Sequence, residues 1–322
     1  MILKDSPFKD IIESQIKNKS KLNTKNSPPE NGFTISILNN SIKHTSCNGI
    51  THQRRKKQII HLIRDVLKKH KIKNCHININ ADKIPKNNCF NFYREKDNTS
   101  QFLLPNFRFN YDEILIDESE KRFNTYAEQS AYLKKFDKPF EDKLSMIYFN
   151  CHSGTYKIKL FKKFMQINKK KNIIKAHMCI GDSHKKNNIL SIDPSLNKIK
   201  YIVKKNMAGF EYKYFKEHCN YKYLLNESCF IKNDKIRLLL NLDCIIFSRI
   251  SNYENFYTYT LKDNENHITF TNYKDLYSLF KKIENDQDLK NKIIQNNKEY
   301  CENILTYENI LDYTALLLNN LF

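Results

Sequence analysis

Apolar positions along the chain fall into short alternating runs and longer runs at helical spacing. Phe8, Ile11, Ile12 and Ile16 predict a short amphipathic helix, and the polar stretch ending in Pro28-Pro29 predicts a linker. Residues 33–44, FTISILNNSIKH, alternate apolar and polar around Asn39-Asn40, which is the pattern of a β-hairpin. From Thr51 to Lys71 the set Ile59, Ile60, Leu62, Ile63, Val66 and Leu67 predicts a helix, with Arg54-Arg55-Lys56-Lys57 in its first turns. Cys75, Ile77 and Ile79 alternate with His76, Asn78 and Asn80, a strand that ends in a polar turn before Pro85. Residues 89–109 predict a strand, a polar loop and Leu-Leu-Pro-Asn-Phe, and residues 117–138 a charged, partly amphipathic helix.

A second unit begins at residue 144. A strand from Met146 to Phe149 leads into a Ser153-Gly154-Thr155 turn and a basic helix carrying Leu160, Phe161, Phe164 and Met165. Another strand covers Ile173 to Ile180, and Gly181-Asp182-Ser183-His184 reads as a polar loop at its end. The stretch from His218 to Phe247 then runs from a polar-aromatic cluster into a loop with Lys232 and Lys235. It continues through an apolar helical run (Ile236 to Leu242), a break at Asn241 and Asp243, and a strand from Cys244 to Phe247. His267 to Phe270 predicts a last strand, and helices are expected over 273–284, 287–304 and 307–321. Strands alternating with helices predict an α/β fold. In open α/β sheets ligands gather beyond the carboxyl ends of strands, which makes Asp82 a candidate; the alternative is an aspartate that caps its turn. A small-residue turn or a basic loop before a helix suits an anion, because unpaired backbone N–H groups point outward there.

Composition changes the picture in three places. At 322 residues, 40 % of them hydrophobic, the chain can hold two domains or one large one. The formal net charge is +20, compatible with nucleic acid, an anionic surface or a phosphorylated substrate. The lysines are spread along the whole chain, which ranks nucleic-acid binding third among the readings. Lys, Asn and Ile dominate together, as in an AT-biased coding sequence of a large DNA virus or a protist. The nine cysteines are scattered, with no Cys-x-x-Cys and no paired Cys/His spacing, so no structural zinc is expected. The only Asp-x-Asp, Asp286-Gln287-Asp288, falls at a helix start, where acids suit the dipole, and is not read as a metal site. The opening MILKDSPFKDIIESQIK lacks an apolar core of signal-peptide length, and no run approaches a membrane span. A cytoplasmic protein with reduced thiols is expected.

The segment His218, Cys219, Tyr221, Lys222, Tyr223, Leu224 and Asn226, followed by Asn233, Lys235, a helix and Asp243, resembles the donor-sugar segment of glycosyltransferase family ninety. That family includes capsule-associated proteins and protein O-glucosyltransferases. Its pattern is His-Cys-Lys-Tyr-Lys-Tyr-Leu, a Ser-x-Arg pair, a helix and a Gly-Ser-hydrophobic strand. Asn233 and Lys235 stand at the Ser and Arg positions, and Asp243 at the Gly position. The family's Asn-x-Arg-Asp-x-Pro motif is met between Asn80 and Pro85. Without a gap, Lys83 takes the position of the catalytic Asp; a shift of one residue puts Asp82 there. Asp82 is the chosen base, since a protonated Lys83 cannot accept a proton. Phe149 matches a strand that ends Phe-Arg-Gly in the family, with Asn150-Cys151 in place of Arg-Gly. Ser153 and Thr155 fall in the following small-residue turn, and Lys157 stands for the diphosphate-binding Arg, keeping its charge without its planar fork. Tyr253 to Tyr257 matches the family's Glu-x-Phe-Tyr, which makes Glu254 a ligand for donor-sugar or ribose hydroxyls or, alternatively, a glutamate beside packed aromatics. Asn91, Tyr93, Arg94 and Asp97 match the segment where donor and acceptor meet.

The resemblance implies an α/β fold with two Rossmann-like domains facing a cleft (GT-B-like) and C-terminal helices. The expected division is residues 1–32 as helix and linker, 33–143 as acceptor and catalytic-base domain, 144–300 as nucleotide-sugar-binding domain, and 301–322 as a helix packing back. The implied activity is inverting, metal-independent transfer of a sugar, glucose or xylose first, from a UDP-sugar to a hydroxyl of a protein or glycan. Asp82 would be catalytic, and Ser153, Thr155, Lys157, Asn233, Lys235 and Glu254 would bind the donor, with no cofactor beyond the UDP-sugar co-substrate. The rival reading is a catalytically degraded member that binds glycan or protein, favoured by the changed motif letters.

Overall fold

The computed structural model of the chain describes residues 6–25, 28–48, 53–81, 84–105, 115–116, 122–123, 125–152, 160, 163–164, 166–168, 171–180, 201–203, 215–227 and 235–322. Helix α1 (Lys9–Ile16) buries Phe8, Ile11 and Ile12. Strands β1 (Gly32–Leu38) and β2 (Ser41–Asn48) form the expected hairpin. Asn39 and Asn40 both have positive φ, 50° and 55°, the conformation a two-residue I′ turn requires and asparagine tolerates. The turn is also tied to its neighbours. Asn40 donates to Leu67 O at 2.9 Å and accepts from Ile72 N at 2.8 Å, closing the C-terminal end of α2 (Gln53–Lys69). Gly32 starts β1 where a Cβ would lie 2.5 Å from Ile79 O, so only glycine lets the two strands approach.

The first sheet runs β2-β1-β3-β4-β6, with β3 (Cys75–Asn80), β4 (Cys89–Asn91) and β6 (Gln101–Leu103). It is antiparallel from β2 to β3 and parallel from β3 to β6. The polar face of β3 is buried as well as its apolar one. Asn78 bonds with Thr34 and with the carbonyls of Asn23 and Lys25, so the N-terminal segment roofs that face. Strand β5 (Tyr93–Glu95) lies between β4 and β6 in sequence but leaves this sheet, as described below.

Two expectations change here. Within the stretch 117–138, Arg122–Phe123 forms a short strand, β8, paired with β7 (Leu115–Ile116), and helix α3 (Tyr126–Lys134) starts only at Tyr126. A reciprocal capping box between Thr125 and Glu128 sets that start and holds Thr125 extended. The apolar run from Ile236 is a single turn, α4 (Ile236–Leu239), continued by a tight chain bend to Leu242 with every leucine buried. Arg237, fully buried on α4, lies over the Tyr126 ring and donates to Gln129.

The second sheet contains β9 (Leu144–His152), β10 (Ile174–Ile180), β11 (Tyr201–Val203), β12 (Tyr221–Asn226), β13 (Ile245–Arg249) and β15 (Ile268–Phe270). The order is β11-β10-β9-β12-β13-β15 and every pairing is parallel. Counted from β9 this is 3-2-1-4-5-6, the doubly wound order. Alternation along the strands feeds two cores, as expected of a parallel sheet covered on both faces. Tyr148, Leu224 and Ile246 point into a core shared with the first sheet, α1, α2 and the C-terminal helix at Tyr307–Leu321. Ile147, Phe149, Tyr223, Leu225, Ile245 and Phe247 point into a second core. Helices α6 (Leu276–Glu284) and α7 (Gln287–Asn303) cover that second core through Leu276, Phe280, Ile283 and Ile293. Between β13 and β15 lie β14 (Tyr253–Asn255) and the short helix α5 (Phe256–Tyr259).

The last helix, α8 (Tyr307–Leu321), packs against α1 and α2. Asp312 on α8 pairs with Lys69 at 3.0 Å and His70 at 2.7 Å. Among the described residues, no helix is long and apolar enough to cross a membrane.

Candidate functional site

In the 3-2-1-4-5-6 order the crossovers reverse between β9 and β12, so the helices leaving these two strands lie on opposite faces. A crevice is left beyond their carboxyl ends. Three strands deliver polar groups to that edge. Asn150 lies near the end of β9, Asn226 and Glu227 close β12, and Ser248 and Arg249 close β13. They are knitted together. Asn226 Nδ2 donates to Ser248 Oγ at 3.2 Å, Arg249 Nη1 pairs with Glu227 Oε1 at 3.2 Å, and Tyr273 donates to the other Glu227 oxygen. Lys235 reaches the same edge from the start of α4, with Nζ 3.4 Å from Asn150 O. Lys235, one of the two lysines of the predicted basic loop, thus reaches the switch point of the sheet.

A cavity of about 310 Å³ opens beside it, beyond β13 and β15. Ser248, Arg249, Glu254, Tyr259 and His267 line it, and Lys96 enters from the first half of the chain. Glu254 pairs with Arg94 through an Nε–Oε1 contact of 2.5 Å. Its carboxylate is thus held by a buried guanidinium. Asn255, next in sequence, caps α5 by a reciprocal bond with Thr258.

His267 was legible only as the start of a strand; the structure puts it in the cavity wall, 8 % exposed, with no hydrogen-bond partner for Nδ1 among the described residues. Burial pushes its pKa down to about 4, helped by Lys96 and opposed by Asp263. The neutral imidazole is the folded form at pH 7. An unfolded His267 takes up a proton near 6.5, the folded one only near 4. Its contribution is therefore complete above the unfolded value and is lost as pH falls through the folded one, up to about 3 kcal/mol. Urea unfolding at pH 7 and pH 4.5 should show a smaller pH dependence in His267→Gln, by about 2–3 kcal/mol. Equal dependence in both proteins would remove His267 as the source.

Of the residues singled out from sequence, Lys235 reaches the β9 edge of the crevice and Glu254 lines the cavity beside it. Asp82, Ser153, Thr155, Lys157 and Asn233 lie outside the described residues. Asn91, expected to face the cleft, is instead buried under it. Its amide bonds Asn80, Lys86 and Cys89 and so ties the carboxyl end of β3 to β4. Tyr93 is also buried, and Asp97 sits in an exposed turn with φ 66°. Among the described residues, no group of three or more His, Cys, Asp or Glu is placed to hold a metal ion.

The model of glycosyl transferase family 90 matches residues 78–321, which spans β3 to α8 and the whole of the crevice. The chain belongs to glycosyl transferase family 90. It is a sugar-transferring α/β protein, and the match takes in β9 and β12, the strands on either side of the switch point. No curated protein sequence matches the chain. Solved structures similar to it include the C-terminal domain of a glycosyl transferase group 1 family protein from Francisella tularensis. That match has 11 % identity over 62 % of this chain and 96 % of that one, with a TM-score of 0.37. Another is HepE from Anabaena in complex with UDP-glucose, at 9 % identity over 67 % and 56 %, TM-score 0.41. A third is TarM, at 15 % identity over 57 % and 37 %, TM-score 0.41. The chain thus spans little more than half the length of HepE and about a third of TarM.

Proposed function

We propose that this family 90 glycosyltransferase moves a sugar, glucose or xylose first, from a UDP-sugar to a hydroxyl on a protein or glycan, with inversion and without a metal. The reading rests on one observation above others: in a family 90 chain, Lys235 reaches the carboxyl edge of a doubly wound sheet at Asn150, and Glu254 lines the cavity that opens beside that edge. Lys235 would face the diphosphate, and Glu254 would accept from ribose or sugar hydroxyls. Ser153, Thr155, Lys157 and Asn233 are assigned to the same donor by the family pattern. Asp82 would take the proton from the acceptor hydroxyl as it attacks the anomeric carbon. The leaving UDP would be stabilised by Lys157, Lys235 and backbone N–H groups, the task a metal performs elsewhere.

Lys235→Ala is expected to raise the UDP dissociation constant about tenfold, near the ~1.4 kcal/mol of one charge-assisted hydrogen bond. Titration calorimetry measures this directly, and unchanged affinity would take Lys235 out of the donor site. The wider test is UDP release from a panel of UDP-sugars by the purified protein. Release with one sugar would establish the activity and name the donor. If UDP raises the melting temperature without release, the acceptor is missing from the assay. Neither release nor a shift would favour a non-catalytic glycan- or protein-binding role, which the Asn150-Cys151 replacement of Arg-Gly also favours.

A further inference from the structure

Glu254 is held across the molecule. Its strand β14 pairs antiparallel with β5 of the first half, in the register Tyr253↔Glu95, Glu254↔Arg94 and Asn255↔Tyr93. The bridge is extended by Lys96 N–H donating to Asn252 O at 2.8 Å. Arg94 is 8 % exposed, and its guanidinium also lies over the Tyr259 ring, 5.2 Å from the centroid. That fixes the fork on one side by the ring and on the other by the carboxylate. The Asn255–Thr258 capping box immunises the next residue against rotation, so the backbone around Glu254 is fixed at two consecutive positions. Glu254 and Tyr259 line the cavity; Arg94 stands behind them.

We propose that Arg94 is a positioning residue for the donor. It holds Glu254 Oε1, leaving Oε2 to accept a hydroxyl of the donor ribose, and it makes that half of the donor site depend on the first half of the chain. This rests on the reading of Glu254 as a donor ligand. An ionised carboxylate held by one charge-assisted bond offers a fixed acceptor, whereas a free glutamate would spread over several rotamers. The pair joins elements 160 residues apart in sequence.

The test compares binding of UDP and of 2′,3′-dideoxy-UDP to the full chain by calorimetry. The native protein is expected to prefer UDP about tenfold, the value of one charge-assisted hydrogen bond. Glu254→Gln is the control for the underlying reading. Arg94→Met is expected to reduce the preference to about twofold or less, with Arg94→Lys falling between. If Glu254→Gln loses the preference while Arg94→Met keeps it in full, Arg94 is only a structural staple and the proposal is overturned. A preference kept in Glu254→Gln, or no preference in the native protein, overturns the reading of Glu254 and the role of Arg94 with it. Should Arg94→Met fail to fold, Arg94→Lys decides: a preference at least threefold weaker supports positioning, and a native preference overturns it.

Discussion

An Asp82→Asn variant is expected to lose sugar transfer by about two to four orders of magnitude, the usual contribution of a positioned general base. An acceptor hydroxyl is a poor nucleophile until its proton is removed as it attacks. Asparagine matches the shape of aspartate but has no basic oxygen. The described residues on both sides of this position are anchored at the carboxyl end of β3. Asn80 donates to Ile84 O at 2.7 Å and to Asn91 Oδ1 at 2.9 Å, and Lys86 N–H donates to the same Asn91 oxygen. Those bonds do not involve the Asp82 carboxylate, so the substitution is expected to leave the fold intact. UDP affinity should stay within about twofold of native, because the role proposed for Asp82 is toward the acceptor hydroxyl and not the diphosphate. Parallel assays of UDP release and UDP binding separate the two effects. A fully active variant would move the base to another residue.

Tyr313→Ala is expected to destabilise the protein by about 3–5 kcal/mol, the range for deleting a buried aromatic side chain. Tyr313 is fully buried on α8. Its ring packs on Phe8 at 5.4 Å and Phe256 at 4.6 Å between centroids. Its hydroxyl accepts from Gln15 Nε2 at 2.8 Å and donates to Leu103 O at 3.0 Å. Gln15 in turn accepts from Leu103 N at 2.6 Å, so α1, α8 and the end of β6 are closed into a three-way joint. Removing the side chain opens a cavity and strands two buried polar groups. Tyr313→Phe keeps the ring and should lose only about 1–2 kcal/mol. Urea unfolding of both variants measures the difference. An alanine variant within 1 kcal/mol of native would mean the joint relaxes and does not hold α8 to the first half. Phe256 follows β14 directly, so the alanine variant should also weaken UDP binding if the donor site depends on this packing.

The elements legible in the chain were those whose causes are local. Asn39-Asn40 specified a hairpin because two consecutive positive-φ positions are needed there and asparagine supplies them. The helices from Leu276 onward were placed within a few residues, because their apolar faces repeat at helical spacing and the starts of the last two carry side-chain caps. Asp286 accepts from Leu289 N and Thr306 from Asn309 N. The stretch 117–138 was misjudged for a related reason. Its charged residues allow a helix, but a capping box at Thr125 starts it late and a strand pair precedes it.

The pattern of letters around β12, α4 and β13 made the family legible in the chain. What it did not contain was the partners of the side chains. Arg94 meets Glu254, Lys235 reaches the backbone of Asn150, and Glu227 gathers Arg249 and Tyr273 only because separate strands end at one edge. Asn91 and His267 make the same point in opposite directions. The first was expected to face the cleft and became a buried tie. The second carried no signal in the chain and became a neutral wall of the cavity. Periodicity and capping act over a few residues and so can be read along the chain, whereas burial, pairing and pKa depend on which strands neighbour each other. That neighbourhood is decided by the strand order within each sheet and, for Arg94 and Glu254, by the pairing of β5 with β14.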